Sequence, residues 1–312
     1  MVDISIIIPI KNIEDPYLPD CLNSLRKQTY FGDFEIIVVE GGNISQARNE
    51  GIRNANGDMV AFIDSDCIAP TNWLKKMSDF LISFNNAGGV GGPNISPLNR
   101  DILSEAIDDV FGSYLGSLGS TSLYRPKTTK VVKSIACINS IYWREALIQA
   151  EGFDERFMLN EDTNLSHRVI SKGYNLYFVP DPLVFHHRKN SLEQFSKQFF
   201  HYGISRMRSM LTNIEYADPL IIFFLSLFLI TPIFVLFYPL LSLLFIVIYL
   251  LVVKFIGLNR ALKKRRNILL LIIPLLFLIE HLSYAGGLLW GLTKGSWKTI
   301  KSNPKIAIYE HI

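Results

Sequence analysis

Three apolar, β-branched runs near the start of the chain constrain its fold more than any other feature. Ile4–Ile10, Phe34–Val39 and Met59–Ile63 are short and nearly continuous in hydrophobicity, the pattern of strands covered on both faces. Between the first two, Leu18, Cys21, Leu22 and Leu25 fall at i, i+3, i+4 and i+7, one stripe of a helix. Ser45–Asn56 reads as a shorter helix closed by Gly57, a residue suited to a C-terminal cap. A third helix follows Pro70, with Trp73, Leu74, Met77, Phe80, Leu81 and Phe84 on one face. Strand and helix alternating in this way require right-handed crossovers and helices on both faces of the sheet. The expected class is α/β, Rossmann-like, with a mostly parallel sheet.

The third run ends in Asp64-Ser65-Asp66. A strand tip of this kind aims two carboxylates into the crevice at the carboxyl edge of the sheet, where open α/β folds bind ligands. Hard divalent cations that bridge a diphosphate take such oxygen ligands; a solvated acidic turn is the plainer alternative. Further along, Lys130–Tyr142 returns to strand, ending near Asn139. After a turn at Gly152–Phe157, Asn160 is the expected cap of a helix that opens with Glu161-Asp162. Val184–His187 is a short extended piece. Gly88–Pro93 and Gly112–Ser122 read as tight or loop backbone near the crevice.

The net charge of +3 is too mild to argue for nucleic acid. Cys21, Cys67 and Cys137 are scattered and odd in number, which fits neither a disulfide framework nor a zinc site. Met1-Val2-Asp3 lacks the basic start of a signal peptide, so residues 1–205 are read as cytosolic. The sequons at Asn43, Asn94 and Asn164 are then chance matches.

The apolar excess lies in residues 219–292. Pro219–Leu258 is forty residues with Lys254 as its one charge, room for two membrane spans at 219–237 and 240–258. Arg260, Lys263, Lys264, Arg265 and Arg266 follow and belong on the cytosolic side. A third apolar segment, 268–292, is interrupted by Pro274, Glu280-His281 and Gly286-Gly287. A full crossing there would carry Lys294, Lys298, Lys301 and Lys305 outside, so the sequence leaves open whether it crosses or re-enters. Residues 193–216 mix aromatic residues with Lys197, Arg206 and Arg208, as interfacial helices do. The expected organisation is an α/β domain at 1–205 and an interfacial helix or linker at 206–218. An all-α membrane region at 219–292 and a basic tail at 293–312 complete it.

Taken together, several strings resemble the GT-A glycosyltransferases of family 2 over residues 1–205. They are Ile6-Ile7-Ile8-Pro9, Val38-Val39-Glu40-Gly41-Gly42, Ala47-Arg48-Asn49-Glu50-Gly51 and Gly57-Asp58 with Asp64-Ser65-Asp66. The last is Gly152-Phe153-Asp154-Glu155 with Glu161-Asp162, Leu165 and Arg168. The resemblance implies a GT-A catalytic domain in which Pro9 and Glu40 line the nucleotide's base and ribose. Glu40 stands where an aspartate is usual, and Arg48 would lie near the nucleotide. Asp64 would take ribose or metal, Asp66 the metal (Mn2+ or Mg2+) and His186 a third metal position, with His187 and Arg188 facing the diphosphate. Asp162 resembles the catalytic base; Glu161 shares its place in a helix's first turn, where the macrodipole favours ionised carboxylates. A single base opposite the leaving group implies inversion at the anomeric carbon. Asn139 is a candidate contact to the donor sugar, with a structural role the stronger alternative.

The function these residues imply is a membrane-anchored, metal-dependent, inverting glycosyltransferase. It would move a sugar from a cytosolic nucleotide-diphospho donor to a polyprenyl phosphate or lipid-linked glycan at the face of the cell membrane. One rival is a processive polysaccharide synthase, but Gln198-Phe199-Phe200-His201-Tyr202 departs from Gln-x-x-Arg-Trp at both closing positions. The other is a nucleotide-binding membrane adaptor without chemistry, which has no use for Asp64, Asp66 and Asp162 together.

Overall fold

The computed structural model describes residues 2–96, 101–117, 127–157, 159–187, 191–212, 235–293 and 303–312. The chain forms two compact units. One comprises Met1–Asn99, Ser117–Arg188 and Trp297–Ile312; the other comprises Arg100–Gly116 and Lys189–Ser296.

The first unit opens β1 (Ile4–Ile10), α1 (Leu18–Leu25), β2 (Phe34–Glu40), α2 (Ile44–Asn54) and β3 (Met59–Ile63). It continues through β4 (Cys67–Ile68), α3 (Trp73–Ser83), β5 (Ala87–Gly91) and β6 (Asn94–Ile95). After α4 (Ile102–Phe111) and the single turn α5 (Tyr114–Ser117) come β7 (Lys130–Val132), β8 (Asn139–Trp143) and α6 (Arg144–Gln149). Then follow α7 (Glu161–Ser171), β9 (Asn175–Phe178) and β10 (Val184–His186).

With β11 (Lys305–His311) from the chain's end, the main sheet has the order β11-β2-β1-β3-β8-β5-β9-β7. β1 lies parallel to β2 and β3. On one face α1 and α3 bury Cys21, Leu25, Trp73 and Met77 against Ile4, Ile6 and Ile8. On the other, Ala47 of α2 and Leu165 and Val169 of α7 pack with Ile7, Ile37 and Phe62. Burial on both faces explains why these strands read as unbroken apolar runs. The sheet is nevertheless mixed rather than mostly parallel, because β8 runs antiparallel to both β3 and β5. Parallel neighbours need a crossover packed on the sheet, whereas residues 100–116 between β6 and β8 belong to the other unit.

β11 (Lys305–His311) falls in what the sequence presents as a basic tail, and it forms the sheet's edge beyond β2. It pairs antiparallel from Lys305 opposite Glu40 to His311 opposite Glu35, with a register shift between Ile306 and Ile308. The Tyr309 hydroxyl donates to buried Glu35, Arg26 pairs with Glu310, and Ile306 and Ile308 pack on the core. Covering β2 removes a row of unpaired backbone groups from a hydrophobic edge.

The second unit gathers α4 with α8 (Leu192–Thr212), α9 (Pro239–Lys264) and α10 (Leu269–Gly291). α8 lies close on α10 because Gly203, Gly287 and Gly291 carry no side chain; a Cβ on Gly203 would sit 2.2 Å from the Tyr284 carbonyl oxygen. Small residues permit such backbone approach between apolar helices. Lys264 at the end of α9 reaches Asp109 at 2.7 Å and Glu105 at 2.9 Å on α4, and Arg266 reaches Glu105 at 3.1 Å. α9 and α10 are each long and apolar enough to cross a membrane. The expected span at 219–237 lies outside the described residues up to position 234, as do Arg188, Lys294, Lys298 and Lys301.

Candidate active site

The site forms where β1 and β3, adjacent and parallel, end side by side. The neighbouring order β2-β1-β3 makes this a topological switch point, where the chain diverges and leaves a crevice. α2 enters it by a capping box between Asn43 and Gln46, which fixes the helix start. That sets Arg48 fully inside, 2 % exposed, between the rings of Phe62 and Phe153. Its Nη2 donates to Asp64 Oδ1 at 3.1 Å and its Nη1 to Glu161 Oε1 at 2.7 Å. A planar, always-charged fork suits a buried bridge between two carboxylates. Burial raises the Asp64 carboxyl above its ordinary value, with Arg48 pulling the other way.

Glu161 and Asp162 open α7. Asn160 precedes them in the left-handed region (φ 61°, ψ 18°) and makes no side-chain cap, contrary to the expected N-cap. A left-handed Asn is a backbone solution, since its short polar side chain tolerates that region better than most. Thr163 N donates to Asp162 Oδ1 at 2.7 Å. Burial, then the charge of Asp162, push Glu161 up to about 7 against the pull of Arg48.

A small second sheet, β4-β10-β6, supplies the other wall. Its register sets His186 opposite Cys67, and His186 Nε2 lies 3.2 Å from Asp66 Oδ2. Burial works to raise Asp66, but His186 outweighs it and holds Asp66 below its ordinary value. His187 stacks on Tyr17 at 5.0 Å. Thus Asp66 and His186 come together, while Asp64 is turned toward Arg48. Among the described residues no three His, Cys, Asp or Glu side chains converge into a preformed cation site. The donor types still fit a hard divalent cation: two carboxylates and an imidazole whose Nδ1 is buried without a hydrogen-bond partner.

Glu40 sits at the end of β2 beside the crevice. Its Oε1 accepts from Ile13 N at 2.9 Å and its Oε2 lies 3.1 Å from Lys305 Nζ. These two partners, Ile13 first, hold Glu40 below its ordinary value. Pro9 pairs in register with Val39 one step earlier and is half-buried. Asn139 is committed elsewhere: it accepts from Trp73 Nε1 and donates to the carbonyls of Pro93 and Pro182, each at 2.8 Å.

Sequence reasoning missed what Asn49 and Arg168 do. Asn49 Oδ1 accepts from Phe153 N at 2.7 Å and its Nδ2 donates to the Phe153 carbonyl at 2.9 Å. Arg168 clamps the carbonyls of Ala150 and Gly152. Together they fasten the Gly152–Phe157 turn between α2 and α7. Their presence inside the quoted motifs was the only signal, because the contact itself is non-local.

An α/β domain with paired acidic residues at a switch point and a carboxylate-bearing helix beside them is the arrangement that the resemblance to GT-A glycosyltransferases implies. The chain belongs to glycosyl transferase family group 2, whose profile matches residues 59–258; that of glycosyl transferase family 2 matches residues 5–45. It is 24% identical over 89% of its length, and 84% of the relative's, to a Methanococcus voltae enzyme. That enzyme is named dolichyl N-acetyl-alpha-D-glucosaminyl phosphate 3-beta-D-2,3-diacetamido-2,3-dideoxy-beta-D-glucuronosyltransferase. Glycosyltransferase AglE of Haloferax volcanii is 23% identical over 63% of this chain and 70% of its own. Among solved structures, the mannosyltransferase PcManGT of Pyrobaculum calidifontis, in complex with GDP-Man and Mn2+, shares the fold with a TM-score of 0.53. The sequences there are 14% identical, over 90% of this chain and 86% of that one.

Proposed function

We propose that this glycosyltransferase is a membrane-anchored, metal-dependent, inverting enzyme. It moves a sugar from a nucleotide-diphospho donor to a lipid-linked acceptor, a polyprenyl phosphate or lipid-linked glycan, at the cytosolic membrane face. The observation that carries the reading is Arg48, which joins Asp64 at the end of β3 to Glu161 beside Asp162. One buried cation thereby ties the donor side of the crevice to the helix that bears the base. The name of the Methanococcus voltae relative, whose acceptor is a dolichyl-linked sugar phosphate, supports the acceptor class. The complex of the Pyrobaculum calidifontis neighbour supports the donor and cation classes.

In this reading Pro9 and Glu40 hold the nucleoside, Glu40 by accepting from hydroxyl or imide hydrogens. A divalent cation held by Asp64, Asp66 and His186 would neutralise the diphosphate and stabilise it as the leaving group. Asp162 takes the proton from the acceptor oxygen as that oxygen bonds to the anomeric carbon and the bond to the nucleoside diphosphate breaks. One displacement on the face opposite the leaving group inverts the anomeric centre.

The test is transfer of radiolabelled sugar from a panel of UDP- and GDP-sugars into polyprenyl-phosphate-containing membranes. Label in the lipid phase is expected, lost on chelation and regained with Mn2+ or Mg2+. Asp162→Asn is expected to lower kcat by about 10²–10⁴-fold, the usual worth of a general base. Growth of a water-soluble polymer would replace the reading with a synthase. Donor binding unaffected by Asp162→Asn, with no transfer to any lipid acceptor, would replace it with an adaptor.

A further inference from the structure

We infer that the C-terminal strand completes the donor-nucleotide site, with Lys305 as the residue that positions Glu40 beside the nucleoside. This rests on the reading of Glu40 as a nucleoside contact. The strand returns from beyond the apolar segment to run along β2, and its first residue lies opposite the last residue of β2. Just before it, the chain passes over the turn that follows β2: a Cβ on Gly41 would lie 3.8 Å from the Asn303 carbonyl oxygen, and one on Gly42 would lie 3.6 Å from Pro304 Cβ. Both glycines have positive φ, 90° and 70°, so the turn folds tightly under that passage.

Three observations separate Lys305 from a simple fastening. First, the strand is already held by its ladder, by Tyr309 on Glu35 and by Arg26 on Glu310. Second, Lys305 is 74% exposed while Glu40 is 16% exposed, and so exposed an ion pair adds little to stability. Third, the register shifts just after Ile306. Bulges of this kind cluster at sheet edges and beside active sites, where they re-aim a side chain; here the end of the strand that is re-aimed carries Lys305.

The consequence is a carboxylate with both oxygens engaged from opposite sides, Ile13 N from the loop after β1 and Lys305 from β11. Each oxygen keeps a further lone pair, and the two anchors fix where those point. A preorganised acceptor binds a hydroxyl or imide hydrogen without first losing rotamer freedom. Lys305 also adds a positive charge at the crevice mouth, suited to an anionic nucleotide.

The test uses the full chain in lipid nanodiscs, titrated calorimetrically with UDP, GDP, CDP and ADP in the presence of Mn2+. Lys305→Met is expected to weaken the binding of whichever nucleotide the wild type takes by about tenfold, the scale of a charged hydrogen bond. Lys305→Arg is expected to restore most of it, and Glu40→Gln with Lys305→Met to bind no worse than Glu40→Gln alone. Glu310→Gln, which frees the far end of the same strand, is expected to bind as wild type. Wild-type affinity in Lys305→Met alongside weak binding in Glu40→Gln would overturn this inference alone. So would an equal loss in Glu310→Gln, since the strand would then act only as a brace. Wild-type affinity in Glu40→Gln would instead overturn the reading of Glu40, and the inference with it. Failure of all four nucleotides to bind the wild type would overturn the donor site as a whole.

Discussion

Arg48 Nη1 donates to Glu161 Oε1 at 2.7 Å in a pocket from which water is nearly excluded, Arg48 being 2 % exposed and Glu161 8 %. Removing one member of such a pair leaves the other charge buried without compensation, at a cost of about 3–5 kcal/mol. Arg48→Ala is therefore expected to lower the unfolding free energy by that amount and to abolish transfer, because Asp64 and α7 lose their common tether. Arg48→Lys should recover only part of either, since a single ammonium point lacks the fork that reaches both carboxylates. Denaturant titration of the two variants, with transfer assays alongside, checks this. Wild-type stability in Arg48→Ala would contradict it.

The same pair gives a pH dependence whose sign is fixed. Glu161 is raised from 4.5 to about 7, by burial and then by Asp162. The folded protein thus holds a proton that the unfolded chain releases near 4.5. The stability this lends is complete below the unfolded value and is lost as pH rises through about 7. Activity should run the other way, because ionisation of Glu161 sets a negative charge beside Asp162 and favours proton uptake by the base. The acid limb of kcat/KM is expected near 7 in the wild type. In Glu161→Gln that limb should disappear, since the group that titrates there is gone. A limb that stays put would assign the titration to another group.

The parts of this site that could be read from sequence are those written in local pattern. β1, β2 and β3 are buried on both faces, so their apolar runs are unbroken and Asp64 and Asp66 stand at a recognisable strand end. β8 shows no local sign of direction: Asn139–Trp143 has the same character whichever way it runs. β11 mixes Lys305, Glu310 and His311 with Ile306 and Ile308, and only its distant partner β2 makes it a strand. Arg48 could be set near the nucleotide by resemblance. Its bridge between Asp64 and Glu161 joins three elements, and no periodicity encodes it.

Asn160 gives a backbone prediction next to the base. Its φ of 61° is one that Gly adopts freely and a β-branched residue does not. Asn160→Gly should keep the melting temperature close to wild type. Asn160→Val should cost roughly 1–2 kcal/mol and shift the first turn of α7, lowering kcat through Asp162 more than donor KM. Equal tolerance of both substitutions would mean that the turn relaxes without consequence.

The pairing of β11 with β2 also constrains membrane topology. Both strands belong to one sheet, so any membrane crossings the chain makes between residues 188 and 303 must be even in number. The basic cluster Arg260–Arg266 at the end of α9 belongs on the cytosolic side by the positive-inside tendency. If the sheet is cytosolic too, α10 starts on that side, and an even count is kept when it also finishes there. Pro274 lies within α10 and Glu280 is 3 % exposed, a break and a polar group uncommon in a simple span. The native Cys21, Cys67 and Cys137 are buried, so single introduced cysteines can report sidedness in inverted and right-side-out vesicles. Asn267→Cys and Thr293→Cys flank α10 and should both react with a membrane-impermeant maleimide from the face that carries the catalytic domain. Leu236→Cys, just before α9, should react only from the opposite face. Labelling of Thr293→Cys from the opposite face would make α10 a span and contradict this topology, since the nine residues 294–302 are too few to cross back.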